Sequence, residues 1–211
     1  MARFTWLIPA TAAVVVTGVV ASTVMVNTSA AAVQVGNPAP DFTAKTSTGQ
    51  TVRLSDYKGK MVVLEWTNHE CPFVVKHYQS GNMQKLQQEA KSKGAVWLSV
   101  VSSAPGKQGF VTAEQANAVV KKHNASPTAV ILDPDGTLGR LYGARTTPHM
   151  FVIDKAGKLQ YMGAIDDAPG LNQDSTKANN FVRAAMQQLM AGQKVTTSTT
   201  QPYGCSVKYK N

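Results

Sequence analysis

Four short apolar runs limit what this chain can fold into more than any other feature. Met61 to Trp66 (MVVLEW), Ala95 to Val101 (AVWLSVV) and Thr128 to Leu132 (TAVIL) are continuous rather than alternating. Runs of that kind are strands buried on both faces. The fourth, His149 to Asp154 (HMFVID), is followed by a Lys155-Ala156-Gly157-Lys158 turn and Leu159 to Met162, which predicts a hairpin. Helical stretches fill the gaps. Cys71-Pro72 opens a long one with apolar residues at Val75, Tyr78, Met83 and Leu86, interruptible at Gly81 and ended by Lys93-Gly94. Thr112 caps a helix from Ala113 to His123, and the turn Asp133-Pro134-Asp135-Gly136 leads into a short one from Thr137 to Tyr142. Ser175 or Thr176 caps a last helix through Met190, with Phe181, Ala185 and Leu189 as core contacts. This order predicts an α/β fold with a mixed central sheet and helices on both faces.

The ends read differently. Arg3 is the only charge before Asp41, an apolar stretch runs from Leu7 to about Val26, and NTSAAA follows from Asn27 to Ala32. A basic start, an apolar middle and a small-residue site make residues 1–32 an export signal cut after Ala32, with an uncleaved anchor as the alternative. Residues 33–192 then form the folded domain. Residues 193–211 form a Thr/Ser-rich, flexible C-terminal arm that carries Cys205. A membrane is a partner only if the leader stays on. Export matters to the cysteines, because outside the cytosol two thiols can persist as a disulfide.

Two cysteines are too few for a Cys-based zinc site. The net charge of +9 comes from scattered residues, the longest Lys/Arg run being Lys121-Lys122, so no nucleic-acid partner is expected and the charge reads as a Lys-rich surface. Asn124-Ala125-Ser126 matches a glycosylation sequon and is given no function.

The chemistry points to Cys71. A thiol between a buried strand and a helix start faces unpaired backbone N–H groups and the positive end of the helix dipole, both of which favour the thiolate. The competing reading is a buried structural cysteine. Pro148, opening a strand after Thr147, suits a cis-proline packed against a reactive thiol as well as a plain turn proline.

With those residues in place the chain resembles a known group. GNPAPDF (from Gly36), LSDYKGKMVVLEW (from Leu54), CPF (from Cys71) and TTPHMFVID (from Thr146) look like the thioredoxin-fold redoxins, most of all the peroxiredoxin-like AhpC/TSA-type proteins, over roughly Val33 to Gly192. The resemblance implies a thioredoxin-like fold, a redox-active Cys71 and a cis-Pro148, with no metal or organic cofactor. Two departures stand out. Peroxiredoxins carry Pro and Thr seven and three residues before the peroxidatic cysteine, where this chain has Leu64 and Asn68, with Thr67 displaced by one. Disulfide-exchanging relatives carry Cys-x-x-Cys, where this chain has Val74, and copper-delivery relatives a second Cys at position 75, here also Val.

The C-terminal GCSVK resembles a feature of some peroxiredoxin-like proteins, which makes Cys205 the candidate resolving thiol. Peroxide would oxidise Cys71 to the sulfenic acid, Cys205 would attack it, and an outside thiol reductant such as a thioredoxin-like protein would reset the pair. A permanent structural disulfide and an interchain bond stay open for Cys205. Arg145 is the candidate cation for the thiolate, and Thr67 or Asn68 the candidate peroxide donors. His69 and His77 read as solvated residues rather than bases, Glu70 is expected to point away from the thiolate, and Trp66 is core or site wall. The leading expectation is an exported, periplasmic or secreted thiol peroxidase. Its rivals are a thiol–disulfide oxidoreductase acting on exported proteins and a non-catalytic redoxin-fold binding module with a static disulfide.

Overall fold

The computed structural model describes residues 1–2 and 33–210, so the expected leader lies outside the described residues. Within them no helix is long and apolar enough to cross a membrane.

The predicted runs become the centre of the sheet. β3 (Val62–Trp66) pairs in parallel with β4 (Val96–Val101), β4 in parallel with β5 (Ala129–Leu132), and β3 antiparallel with β7 (His149–Ile153), which forms the predicted hairpin with β8 (Leu159–Gly163). An unforeseen N-terminal hairpin, β1 (Thr43–Thr46) and β2 (Thr51–Arg53), extends the β5 edge, giving the order β2-β1-β5-β4-β3-β7-β8. These two strands are short and mostly polar, so no apolar run announces them. β6 (Thr146–Thr147) and β9 (Cys205–Ser206) form a separate two-stranded sheet.

Among the described residues five α-helices cover both faces: α1 (Pro72–Gln79), α2 (Asn82–Ser92), α3 (Ala113–Lys122), α4 (Thr137–Leu141) and α5 (Phe181–Met190). On one face Leu64, Trp66, Leu98, Ile131 and Phe151 pack with Leu138 and Tyr142 at α4. On the other Val63, Trp97, Met150 and Val152 pack with Met83 and Leu86 of α2 and Val182 and Met186 of α5. Leu64 and Val63 thus serve opposite cores, which is why the run from Met61 carries no alternation.

The interruption expected at Gly81 occurs: it takes the left-handed conformation (φ 73°) and divides the long stretch into α1 and α2. Two expectations need correction. The last helix is capped by neither Ser175 nor Thr176. Asn180 does it, its side chain accepting from the Arg183 N–H at 2.9 Å. The C-terminal arm is docked along the domain: Val195 is buried, the Met162 N–H donates to the Ser198 carbonyl and its carbonyl accepts from the Thr200 N–H, and Thr200 Oγ1 accepts from the Ala164 N–H at 2.8 Å. It covers the open edge of β8, which would otherwise leave backbone groups unpaired.

Candidate active site

Cys71 is the N-cap of α1, and Pro72 is its first helical residue. Pro is favoured there because the missing N–H is one that the helix start leaves unpaired. The Cys71 N–H donates to the Asn68 carbonyl at 3.0 Å and its carbonyl accepts from Val75 at 2.9 Å, so a closed turn hands the chain from β3 into the helix. The side chain is fully buried, and its sulfur lies 3.1 Å from the Thr147 carbonyl. Thr147 precedes Pro148 through a cis peptide bond, as expected from the sequence.

The arm ends at the same place. Cys205 lies in register with Thr147 in the β6–β9 pair, Val207 donates to the Arg145 carbonyl at 3.0 Å, and the Lys208 carbonyl accepts from Ala104 at 2.8 Å. The strand is a strap over Cys71. The two thiols shift each other's acidity and are not joined.

Their acidities differ. Burial pushes the Cys71 thiol up. Contacts from the Cys205 thiol and the Thr147 side chain, together with the Val74 N–H of the first helical turn, outweigh it and hold the pKa below the ordinary thiol value. The Val74 N–H contributes although it makes no regular capping hydrogen bond with the sulfur. The Thr147 carbonyl, an acceptor, is a partner for the protonated thiol, whereas the thiolate takes the donors. Cys205 goes the other way: its own burial, the donation to Cys71 and the charge beside it raise its pKa to about 11. In such a pair Cys71 is the thiol that ionises first.

The other predicted residues are spread out. Asn68 is buried, but its amide is spent on the loops: Oδ1 accepts from the Glu70 N–H at 2.9 Å and Nδ2 donates to the Gln108 carbonyl at 3.4 Å. Thr67 lines a mostly apolar cleft of about 550 Å³ with Val74, Tyr78, Val120 and His123, and neither cysteine lines it. Arg145 is exposed and is tied to the strap through its backbone carbonyl, not through its guanidinium. Glu70 points outward and accepts from the Gly109 N–H at 2.6 Å. Trp66 is core, its Nε1–H donating to Ser102 at 3.0 Å.

His77, read as solvated, is fully buried. Its Nδ1 accepts from Asn82 at 3.0 Å, which leaves the Nε2–H to donate to the Tyr203 hydroxyl at 2.9 Å, and that hydroxyl donates to Asp166 at 2.5 Å. Burial, with the Lys76 charge adding to it, lowers the His77 pKa to about 4, so the 3.9 Å approach of its ring to Asp166 is not an ion pair at neutral pH. The chain of bonds ties α1 to Tyr203, two residues ahead of Cys205. Sequence reasoning missed it because Tyr203 and Asp166 lie 126 and 89 residues further along the chain. It also passed over Glu65, a buried carboxyl that accepts from Trp97 and Ser99 at 2.8 Å and from Tyr78 at 2.9 Å and whose pKa burial raises. The signal available was an acid inside an otherwise apolar run.

A sheet of this order, with a thiol at the first turn of α1 and a cis-proline against it, defines a thioredoxin-fold redoxin. The chain belongs to the AhpC/TSA family, whose model matches residues 35–162. It is similar to the thioredoxin-like protein YneN of Bacillus subtilis, 28% identical over 128 residues that cover 61% of this chain and 70% of that one. It is also similar to the thiol-disulfide oxidoreductase ResA of Bacillus thuringiensis, 27% identical over 129 residues covering 60% and 67%. Among solved structures, the exposed lipoprotein thioredoxin Etrx1 of Streptococcus pneumoniae aligns at 28% identity with a TM-score of 0.51, over 70% of this chain and 99% of that one. A conserved protein of Geobacillus kaustophilus shares the fold with a TM-score of 0.74 at 24% identity, over 84% of this chain and 93% of that one.

Proposed function

We propose that the protein is an exported thiol–disulfide oxidoreductase whose working couple is Cys71 and Cys205. The observation that carries this is the register of β9, which sets Cys205 opposite Thr147, the residue whose carbonyl lies 3.1 Å from the Cys71 sulfur. A second cysteine 134 residues away thereby takes the part that position 74, a valine, does not. The name of ResA, a thiol-disulfide oxidoreductase, supports disulfide exchange. The leader-like start and the likeness to an exposed lipoprotein thioredoxin support export.

In the reduced pair Cys71 is the nucleophile. Its thiolate attacks one sulfur of a partner disulfide, forming a Cys71 mixed disulfide and releasing one partner thiolate. The Cys205 sulfur then attacks Cys71, the second partner thiolate leaves, and the Cys205 proton goes to a leaving thiolate. The partner gains two electrons and the pair becomes a disulfide. An outside thiol returns the pair to the dithiol. No metal or organic cofactor enters these steps.

Peroxide reduction is the second reading. The AhpC/TSA match over residues 35–162 and the complete burial of Cys71 favour it, since a small oxidant needs less opening of the strap than a protein does. There the Cys71 thiolate attacks one peroxide oxygen and becomes the sulfenic acid while the other oxygen leaves as water or an alcohol, and Cys205 then attacks that sulfur and displaces water to close the same disulfide.

Rapid-quench mass spectrometry separates the two. The reduced protein is mixed with one equivalent of hydrogen peroxide or of glutathione disulfide and trapped over milliseconds to minutes. Faster closure of the Cys71–Cys205 bond with the disulfide, and a trapped Cys71–glutathione adduct in Cys205→Ser, are expected. Faster closure with peroxide, and sulfinic acid at Cys71 in that variant, move the assignment to peroxidase. Cys71→Ser should abolish turnover with either oxidant, and turnover that survives it overturns both readings.

A further inference from the structure

Basic residues scattered along the sequence converge on the last residues of the strap, just past Cys205. Lys107 from the loop after β4, Arg140 of α4 and Lys208 of the strap line an open hollow of about 730 Å³ with Val207 and Tyr209. Arg145 adjoins it, since its carbonyl accepts from Val207. Lys107, Arg140 and Arg145 are exposed and Lys208 is half-buried. The arrangement is built rather than loose: Arg140 stacks at 4.6 Å on Tyr209, whose hydroxyl donates to the Ala144 carbonyl at 2.7 Å, and Lys208 Nζ donates to Ser206 at 3.2 Å.

Among the described residues no carboxylate lies within ion-pair distance of a rim cation. The acid–base contacts among the described residues are His77–Asp166, Lys177–Asp174 and Arg183–Glu89, and none includes a rim cation. The acid under Tyr209, Asp133, is buried and spent on the Ser102 hydroxyl and the Leu138 and Gly139 N–H groups at the start of α4. The Lys208 charge acts on the Cys205 sulfur itself, pulling its pKa down against the causes that raise it. Cys205 is also the half-exposed sulfur of the pair, whereas Cys71 is closed off.

We propose that this rim selects small anionic thiols, carrying carboxylate or sulfonate groups, as the reductants that reset the Cys71–Cys205 disulfide. The proposal rests on the redox-couple reading. The incoming thiolate attacks the Cys205 sulfur, the S–S bond breaks, and Cys71 leaves with the electron pair as the thiolate its surroundings favour. A second anionic thiolate attacks the reductant's sulfur in the mixed disulfide, releasing the symmetrical disulfide, and Cys205 takes up a proton. Two thiols are oxidised and one protein disulfide is reduced. The rim concentrates the anion at the outer sulfur and steers it in.

The test is the charge dependence of that step. The oxidised protein is reduced by 2-mercaptoethanesulfonate, 2-mercaptoethanol or cysteamine, and rates are compared per thiolate. The sulfonate should be fastest and cysteamine slowest, with a spread of roughly fivefold at low ionic strength that collapses in molar salt. Lys107→Gln with Lys208→Gln should flatten the series, while molar salt makes the same check on the unaltered protein. Equal rates, the reverse order, or a spread that neither salt nor the double variant changes overturns the proposal. If no Cys71–Cys205 disulfide forms, the redox-couple reading has failed instead. The rim is then tested on the reduced protein by alkylation mapped at Cys205, where iodoacetate should gain on iodoacetamide relative to a free cysteine peptide. No such gain overturns the rim's selectivity as well.

Discussion

The two thiols sit side by side, yet the chain builds their surroundings in opposite ways. Cys71 is held by strong local structure: β3 leads into a closed turn, and α1 begins on the cysteine itself. Cys205 is held by a two-residue strand at the end of a docked arm. One sulfur is buried among donors and kept acidic; the other is half-exposed with a pKa of about 11. The difference teaches how a chain without two neighbouring cysteines builds a dithiol. The first cysteine is fixed by local structure at the start of a helix, and the second is brought to it on a two-residue strand from the far end of the chain.

The largest break in this comparison comes from lifting the strap. Gly204 sits at φ 127°, and a Cβ there would run into the Thr147 carbonyl. Gly204→Ala therefore meets a backbone atom as well as a disfavoured conformation. It should separate β9 from β6 without touching α1. Alkylation of Cys71 in the folded protein should rise by about tenfold or more, and the effective concentration of Cys205 at Cys71 should fall by a comparable factor, because an undocked arm samples a large volume. Peptide-mapped labelling and equilibration with a glutathione buffer measure the two effects. Unchanged values would mean that the strap does not gate Cys71.

How much of this was legible in the sequence follows the same divide. Met61–Trp66, the Cys71-Pro72 helix start and Pro148 could be read because each is specified by neighbours within a few residues. The strap could not. Cys205 and Thr147 are 58 residues apart, and a two-residue pairing leaves no periodic trace. His77 fails for the same reason: a lone histidine on a helix reads as solvated until Tyr203 and Asp166 arrive from elsewhere. Arg145 and Asn68 were assigned by closeness in sequence to Pro148 and Cys71, whereas the structure uses the backbone of the first and the amide of the second to hold loops.

A smaller effect is expected from loosening the strap at its polar anchor. Tyr203→Phe removes the hydroxyl that joins His77 to Asp166, leaving the buried His77 Nε2–H without an acceptor and Asp166 Oδ1 with the Ala168 N–H as its remaining donor. Losing such a partner costs about 1–3 kcal/mol. Urea unfolding should show that loss. Closure of the Cys71–Cys205 bond should slow, while the reactivity of Cys71 with a small alkylating agent rises less than in Gly204→Ala. Equal effects in the two variants would show that the polar anchor carries the whole docking of the strap.

The finest change sharpens the comparison without moving the chain. Part of the acidity of Cys71 is lent by the Cys205 thiol, first among the groups that lower its pKa against burial. Cys205→Ala removes that donor, whereas Cys205→Ser keeps a hydroxyl in its place. The pKa of Cys71, followed by ultraviolet thiolate absorbance in the reduced proteins, should rise in the alanine variant and rise less in the serine variant. The stability of the fold should follow with a fixed sign. A thiol whose folded pKa lies below its unfolded value stabilises the fold above the unfolded pKa, and that gain is lost as the pH falls through the folded pKa. Cys205, raised to about 11, contributes in the opposite sense, its stabilisation fading as the pH rises through that value. Removing Cys205 should therefore shrink the alkaline gain from Cys71 and abolish the loss near pH 11 together. A Cys71 pKa that does not move in either variant would mean that the start of α1 alone sets the thiolate and that the second thiol lends it nothing.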